Sequence, residues 1–196
     1  MSGPGRNVGV TGNGERGTEK MKWNKKFEYP ASIRSSVEGK RHYEITGQKL
    51  PSVTTILSAT QSAEKKAKLA EWKQRVGTQQ ADRIRDVSAM RGTAMHTYLE
   101  GYILGKNHLD LTSIGREAER MAKVVIESGL GDLEEVWGSE VTLYYPGLYA
   151  GATDVVGMYA GKPAIIDFKQ TNKPKQREWI DDYFVQLAAY AMAHNQ

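Results

Sequence analysis

The chain has 196 residues, enough for one compact domain, and its 39% hydrophobic residues supply the material of a core. Its formal net charge of +4 allows a polyanionic partner without requiring one. The absence of cysteine excludes disulfides, a zinc ribbon, a cysteine-ligated iron–sulfur cluster and a thiol nucleophile. Neither a run of about 18 apolar residues nor a signal-peptide core occurs, so we expect a cytoplasmic protein without a membrane partner.

Glycine, serine and asparagine are frequent in the N-terminal residues 1–22, which show no apolar periodicity. Such a composition is typical of a flexible tail, and we place the folded domain at residues 23–196. Short strands and turns are expected over residues 27–50, with the clearest strand at 41–45.

Helix signals dominate the next part of the chain. Ser52 opens a helical stretch, and Ser62 is a suitable N-cap for a helix that Gly77 ends. Apolar residues at helical spacing predict two longer helices over residues 79–104 and 113–128, each followed by a glycine.

Strand-forming residues then replace the helical pattern. Segments 135–145, 151–159 and 163–169 are rich in Val, Ile, Tyr and Thr and are separated by Gly or Pro. A last helix is expected over residues 182–194. This order of elements predicts an α/β (α+β) fold in which helices flank a central mixed or antiparallel sheet.

The last two strands are expected to form a hairpin that brings two aspartates together. With a two-residue turn at Ala160-Gly161, Tyr159 pairs with Lys162, and Asp154 then lies directly opposite Asp167. Side chains at opposed positions have Cβ atoms about 4.5–5.5 Å apart. A bulge at the turn glycine would shift this register by one residue and make the pairing diagonal.

Two adjacent carboxylates in an apolar strand repel each other and are costly to bury, and a divalent metal ion resolves both problems. Carboxylate oxygens are the ligands that Mg²⁺ and Mn²⁺ prefer. Lys169 follows Asp167 by two residues and therefore emerges on the same face, where it can orient water or stabilise charge on a phosphoryl group. The alternative interpretation is a structural ion pair between Lys169 and one of the aspartates.

Polar residues on two helices favour the same interpretation. Gly92, His96 and Glu100 share one face of the second long helix, and a metal-proximal histidine is one role for that face. Gln186 and Tyr190 lie one turn apart on the last helix and can orient Lys169 or a phosphate. The alternatives are an ordinary surface histidine and a half-buried polar helix edge.

Several short motifs occur in a fixed order along the chain. They are Leu50-Pro51-Ser52-Val53-Thr54-(x)-Ile56, Trp72-Lys73-Gln74-Arg75, Arg91-Gly92-Thr93-(x)2-His96, Gly151-(x)2-Asp154, Ile166-Asp167-Phe168-Lys169 and Gln186-Leu187-(x)2-Tyr190. The ordered set resembles RecB-like nucleases of the PD-(D/E)XK superfamily. It is most similar to the branch that contains mitochondrial genome maintenance exonucleases and phage exonucleases.

The resemblance implies a restriction-endonuclease-like core and a DNA exonuclease that depends on one or two Mg²⁺ or Mn²⁺ ions. It also implies the roles of individual side chains. The metal-binding positions are Asp154, Asp167, the backbone carbonyl of Phe168, and His96. Lys169 matches the catalytic lysine, and the supporting positions are Gln186, Tyr190, Glu100 and Glu140.

The expected partner is DNA, with single-stranded ends as the favoured substrate, in recombination, repair or degradation. A viral protein would act in the host cytoplasm. The absence of cysteine separates this chain from iron–sulfur relatives. Relatives of the resembled branch continue beyond the last helix with another strand and helix, so we expect residues 23–196 to be either a truncated or a minimal nuclease domain.

Basic residues beside tryptophans are typical of single-strand binding, in which cations neutralise phosphates and aromatic rings stack on bases. The candidate DNA contacts are Lys73, Arg75, Arg91, Lys173, Lys175 and Arg177. The alternative is that the lysines solvate a helix face and that Trp72 belongs to the core.

Two other functions remain open at this point. The same fold could carry a restriction or junction-cleaving endonuclease, or the domain could bind nucleic acid without cleaving it. The intact set of Asp154, Asp167 and Lys169 favours an enzyme over a silent binding module.

Overall fold

The computed structural model describes residues 21–171 and 174–196, and it confirms an α+β fold. The N-terminal part contains the strands β1 (Ser32–Val37), β2 (Lys40–Ile45) and β3 (Gln48–Pro51). Four helices follow: α1 (Val53–Ala59), α2 (Ala63–Val76), α3 (Thr78–Ile103) and α4 (Ser113–Gly129). The C-terminal part contains β4 (Leu133–Tyr145), β5 (Tyr149–Tyr159), β6 (Lys162–Ile166), a short 3-10 helix (Arg177–Trp179) and α5 (Asp181–His194).

The strands form two antiparallel sheets, in the orders β1-β2-β3 and β4-β5-β6. The second sheet is covered on both faces, which explains why most residues of β5 are buried without a two-residue alternation. Val155 packs in a core with α3 and α4, whereas its neighbour Val156 packs in a second core with α1 and α5. A third cluster joins the small sheet to the start of β5 through Tyr43, Leu50 and Ala150.

The capping residues predicted from sequence set the helix boundaries. The Ser52 hydroxyl accepts a hydrogen bond from the Thr55 amide at 3.0 Å, and the Ser62 hydroxyl accepts one from the Lys65 amide at 3.2 Å. Gly77 separates α2 from α3 with a φ of 83°, a left-handed conformation that favours glycine. These contacts satisfy amide groups that the first turn of a helix leaves unpaired.

The predicted hairpin register is confirmed where the strands pair, from Tyr159↔Lys162 to Val155↔Ile166. Ala160 and Gly161 both have positive φ, as a two-residue hairpin turn of the primed type requires. The predicted strand 163–169 is too long, because β6 ends at Ile166. Asp154 and Asp167 therefore lie one position beyond the last ladder pair, and the extended alternation predicted for Lys169 does not apply.

The first described residues contact β4. The Lys22 carbonyl accepts a hydrogen bond from the Val136 amide at 2.8 Å, and Met21 packs against the core beside α3 and α4. Residues 1–20 of the predicted tail lie outside the described residues, so the domain boundary at residue 23 stays a prediction. Among the described residues, no helix has the length and apolarity needed to cross a membrane.

Leu99→Ala tests the core between α3 and the second sheet. Leu99 is fully buried, so truncating it leaves a cavity and should lower the free energy of unfolding by about 2–5 kcal/mol. Leu109→Ala is the matched control, because Leu109 is 74% exposed and the same truncation should change stability by less than about 0.5 kcal/mol. Urea unfolding measures both, and equal losses would contradict the packing.

Candidate active site

Three side chains from three elements meet at one end of the second sheet. His96 comes from α3, Glu140 from β4 and Asp154 from β5. One ligand atom from each residue lies within 4.8 Å of the ligand atoms of the other two. Two carboxylates and an imidazole at this spacing can hold a divalent cation.

Asp154 is buried, with 7% of its surface exposed, and both of its oxygens are hydrogen-bonded. His96 Nδ1 lies 2.8 Å from Asp154 Oδ1, and the backbone amide of Phe168 donates to Asp154 Oδ2. The Thr153 hydroxyl donates to the Ile166 carbonyl at 3.0 Å and so holds the end of β6 against β5. Asp154 is therefore fixed by α3 and by the segment that follows β6.

Glu140 lies in the register position opposite Asp154, because its neighbours pair as Ser139↔Val155 and Val141↔Thr153. Its φ of 54° is left-handed, which is uncommon for a non-glycine residue inside a strand. Glu140 is exposed as a residue, but neighbouring atoms partly desolvate its carboxyl group, and this desolvation together with the Asp154 charge raises its pKa to about 7. Glu140 thus has an unfavourable backbone conformation, and the positive charge near its carboxyl group is too small to keep its pKa in the usual range.

His96 is half-buried, and its hydrogen bond with Asp154 raises its pKa against the opposing effect of burial. A carboxylate can only accept, so the neutral imidazole donates through Nδ1 and keeps a lone pair on Nε2. Metal-binding histidines commonly have this arrangement, in which a carboxylate orients the ring. Glu100, one turn further along α3, also raises the pKa of Glu140 through its charge.

Asp167 lies beside this three-residue group but is paired differently. It forms an ion pair with Lys169 and accepts a hydrogen bond from Gln186 Nε2 at 3.2 Å. The same Gln186 amide donates to the Tyr190 hydroxyl at 2.9 Å. The structure thus joins Asp167, Lys169, Gln186 and Tyr190 in one network, while Asp154 belongs to the His96 and Glu140 group.

Lys169 has 35% of its side chain exposed, and burial lowers its pKa from the usual range. Its ammonium group lies 5.6 Å from the centre of the Tyr183 ring, within cation–π range. Sequence reasoning missed Tyr183. The available signal was helical spacing, because Tyr183 shares one face of α5 with Gln186 and Tyr190.

Gly151 is required by the packing of Tyr190 against β5. A Cβ atom at Gly151 would lie 2.8 Å from the Tyr190 hydroxyl oxygen, which is shorter than real Cβ contacts allow. Gly92 has no comparable requirement, since a Cβ atom there would lie 3.6 Å from Gln170 Cγ, an ordinary contact distance. The Gln170 amide instead accepts from Arg91 Nε at 3.2 Å and so ties the segment after β6 to α3.

The predicted DNA contacts fall in different environments. Lys73, Arg75 and Lys175 are exposed, the first two on α2. Arg177 forms an ion pair with Asp181 and lies over a neighbouring aromatic ring. Lys173 lies outside the described residues.

Arg91 differs from the other predicted DNA contacts because only 13% of its side chain is exposed. It lies 3.2 Å from Glu117 in an ion pair and also donates to Gln170. These contacts give Arg91 a structural role between α3, α4 and the segment after β6. A direct DNA contact by Arg91 stays a prediction, as do the roles of the other site residues.

The residues around Asp154 fit a divalent cation. Burial and mutual repulsion hold the pKa of Glu140 well above its usual range, which is the signature of negative charge with too little compensation. The ligand set offers two carboxylates and an imidazole, and Mg²⁺ and Mn²⁺ accept such ligands. His96, Glu140 and Asp154 are the residues that would hold the ion.

No protein-family model matches the chain. Among curated proteins, it is similar to mitochondrial genome maintenance exonuclease 1 of Xenopus tropicalis, with 29% identity over 182 residues. The match covers 87% of this chain and 50% of the relative, so the chain spans about half the length of the curated relative it matches. The similarity is weak, but it covers most of this chain and it is to a protein named as an exonuclease.

Gly151→Ala tests the contact that positions Tyr190. The added Cβ atom must displace the ring, so we expect a loss of about 1–3 kcal/mol in the free energy of unfolding. In a Tyr190→Ala background the same change should cost much less, because the clashing ring is gone. Gly129→Ala is the control, since nothing lies within 4 Å of its Cβ position. Additive losses in the double variant would contradict this assignment.

Glu140→Gln tests the excess negative charge of the site. Because the folded-state pKa of about 7 exceeds the unfolded value, Glu140 favours folding at low pH, and this contribution is lost as the pH rises through about 7. The Tm of the metal-free protein should therefore fall less in Glu140→Gln than in wild type between about pH 5 and about pH 8.

The same variant should bind Mn²⁺ more weakly by isothermal titration calorimetry, because it lacks one carboxylate ligand. Glu71→Gln, on the exposed surface of α2, is the control for removing one charge. A Glu140→Gln variant that matches the Glu71→Gln variant in both measurements would show that Glu140 does not belong to a metal site.

Proposed function

We propose that this chain is a metal-dependent deoxyribonuclease that hydrolyses DNA phosphodiester bonds from strand ends. One observation carries the proposal: a His96, Glu140 and Asp154 group able to hold a divalent ion lies beside a Lys169 whose pKa is lowered by burial. The weak similarity to a protein named as a mitochondrial genome maintenance exonuclease supports the exonuclease class. The ordered sequence motifs add support for the RecB-like branch of the PD-(D/E)XK superfamily.

A Mg²⁺ or Mn²⁺ ion bound at this group would supply Lewis acidity at a phosphoryl oxygen and neutralise charge there. His96, Glu140 and Asp154 would hold the ion. Asp167 and the Phe168 carbonyl, which the sequence motifs also assign to the metal, follow the end of β6. Two oxygens of Asp154 are already oriented by the His96 imidazole and the Phe168 amide. The ligand geometry is therefore arranged before the substrate arrives.

Lys169 is the residue that acts on the attacking water in the proposed reaction. Its amine can hold and orient that water beside the metal group. Its positive charge can stabilise the negative charge that develops on the phosphoryl oxygens. Asp167 and Tyr183 position the amine, and Gln186 positions Asp167.

The substrate proposal is single-stranded DNA, cleaved from an end during recombination, repair or degradation of cellular, organellar or viral DNA. Exposed Lys73, Arg75 and Lys175 are available to neutralise phosphates. An exonuclease is favoured over an endonuclease on the same fold by the similarity to a protein named as an exonuclease. The alternative of a catalytically silent module is disfavoured by the intact set of Asp154, Asp167 and Lys169.

Lys169→Ala should lower the rate of DNA hydrolysis on the order of 10²–10³-fold, the usual cost of removing one group that stabilises charge in the transition state. Asp154→Asn should also lower the rate, because it removes one carboxylate ligand of the proposed ion. Initial rates on end-labelled linear DNA with Mg²⁺ or Mn²⁺ measure this loss. Lys162→Ala is the matched control, because Lys162 is an exposed lysine in the turn of the same hairpin. Wild-type rates in the Lys169→Ala variant would overturn the proposed role of this residue.

The same assay separates the competing functions. An exonuclease should degrade linear single strands and leave a circular single strand intact, whereas cleavage of the circle would identify an endonuclease. EDTA should abolish cleavage. Binding of DNA that persists in EDTA, with no cleavage after addition of Mg²⁺ or Mn²⁺, would instead identify a silent binding module.

A further inference from the structure

A second concave surface lies between the β1–β2 hairpin and α1, outside the group around Asp154. This groove has a volume of about 920 Å³. Its lining includes three cationic side chains, Arg34, Lys40 and Arg41, and contains neither Asp nor Glu. Phe, Tyr and Trp are also absent from the lining, where His42 supplies an imidazole ring, so the groove offers mainly charge and hydroxyl groups.

The strand register explains why the two arginines act together. Arg34 pairs with Tyr43 and Ser36 pairs with Arg41, so Arg34 and Arg41 occupy diagonal positions on one face of the hairpin. Diagonal neighbours in an antiparallel pair lie about 7–8 Å apart, and alternation along each strand directs both side chains to the same face. Both arginines are exposed. Among residues 21–171 and 174–196, no ion pair involves Arg34, Arg41 or Lys40.

The opposite wall of the groove is α1, which presents short hydroxyl side chains. Thr54 and Ser58 are exposed and lie one turn apart on this helix. The two walls are fixed relative to each other, because the Arg41 amide donates to the Thr55 hydroxyl at 3.1 Å and that hydroxyl donates to the Arg41 carbonyl at 3.1 Å. The groove is therefore formed before any ligand binds.

The groove is connected to the candidate active site through Ser52. The Ser52 amide donates to the Arg41 carbonyl at 2.9 Å, and Ser52 also forms a β-bridge with Ala150 at the start of β5. The next residue, Gly151, leaves room for Tyr190, which accepts a hydrogen bond from the same Gln186 that donates to Asp167. The groove and the Asp167 network are thus joined through neighbouring residues.

We infer that this groove binds the sugar–phosphate backbone of the DNA strand whose end lies in the active site; this inference rests on the proposed function. Arginine and lysine neutralise phosphates, and serine and threonine hydroxyls donate to phosphate oxygens. Since cationic and hydroxyl side chains dominate the lining, the groove holds the strand mainly through its backbone. The motif from Leu50 to Ile56, which helps to form this groove, thereby acquires a substrate-holding role.

The test is the salt dependence of DNA binding by an Arg34→Gln/Arg41→Gln double variant. Fluorescence anisotropy with labelled single-stranded DNA in EDTA measures binding without cleavage. Losing two phosphate contacts should weaken binding and reduce the slope of log K against log salt by about 1.4. The control is Lys106→Gln/Lys162→Gln, which removes the same charge from exposed lysines outside the groove and should leave the slope close to wild type.

Arg34→Lys/Arg41→Lys should restore most of the slope, because lysine still neutralises a phosphate as a point charge. Circular dichroism melts verify that each variant is folded. A groove variant that binds like the lysine control overturns the groove proposal, and so does a wild-type protein that does not bind DNA in EDTA. If the wild type cleaves DNA and the groove variant binds like the lysine control, the proposed function stands and the groove assignment fails. If the groove variant binds DNA more weakly but the wild type does not cleave, only the proposed nuclease activity is overturned.

Discussion

The burial of the Asp154 carboxylate is the constraint on which the rest of the site depends. A buried charge is costly unless it is paired and hydrogen-bonded, and Asp154 meets this cost by accepting from His96 on α3 and from the Phe168 amide after β6. These two contacts connect the helical layer to the segment that carries Asp167 and Lys169. Removing the carboxylate would therefore disturb both the ligand group and the position of the lysine.

A second chain of contacts fixes the other side of the site. Gly151 leaves room for the Tyr190 ring, the Tyr190 hydroxyl accepts from Gln186, and Gln186 donates to Asp167. Each step needs a particular residue, because a Cβ atom at position 151 would occupy the space of the ring. The helix α5 thus acts on Lys169 indirectly, by holding the carboxylate that pairs with it.

Much of this arrangement was predictable from short-range patterns. Serine caps, glycine boundaries and the two-residue turn at Ala160-Gly161 are local signals, and each determined the element or register expected from it. The end of β6 was not predictable, because strand-forming residues continue past Ile166 to Phe168, and the Phe168 amide donates to the Asp154 side chain instead of continuing the backbone pairing with β5. Because β6 ends at Ile166, the alternation of side chains along a strand does not determine the position of Lys169.

Long-range proximity accounts for what local sequence patterns could not predict. Glu140 was expected only as a supporting position, and the β4–β5 register places it opposite Asp154. Sequence reasoning missed Tyr183, which meets Lys169 because α5 packs against the second sheet. The ion pair of Arg91 with Glu117 joins two helices and has no local signal, and the predicted DNA contact of Arg91 stays a prediction.

The distribution of charge explains why the net value of +4 says little about DNA binding. The site concentrates carboxylates, and their negative potential opposes the approach of a phosphate backbone. A bound cation would offset this repulsion at the scissile group. Affinity for the remainder of a strand comes from cations that neutralise its phosphates, and Arg34, Lys40 and Arg41 can do so without first breaking an ion pair within the described residues.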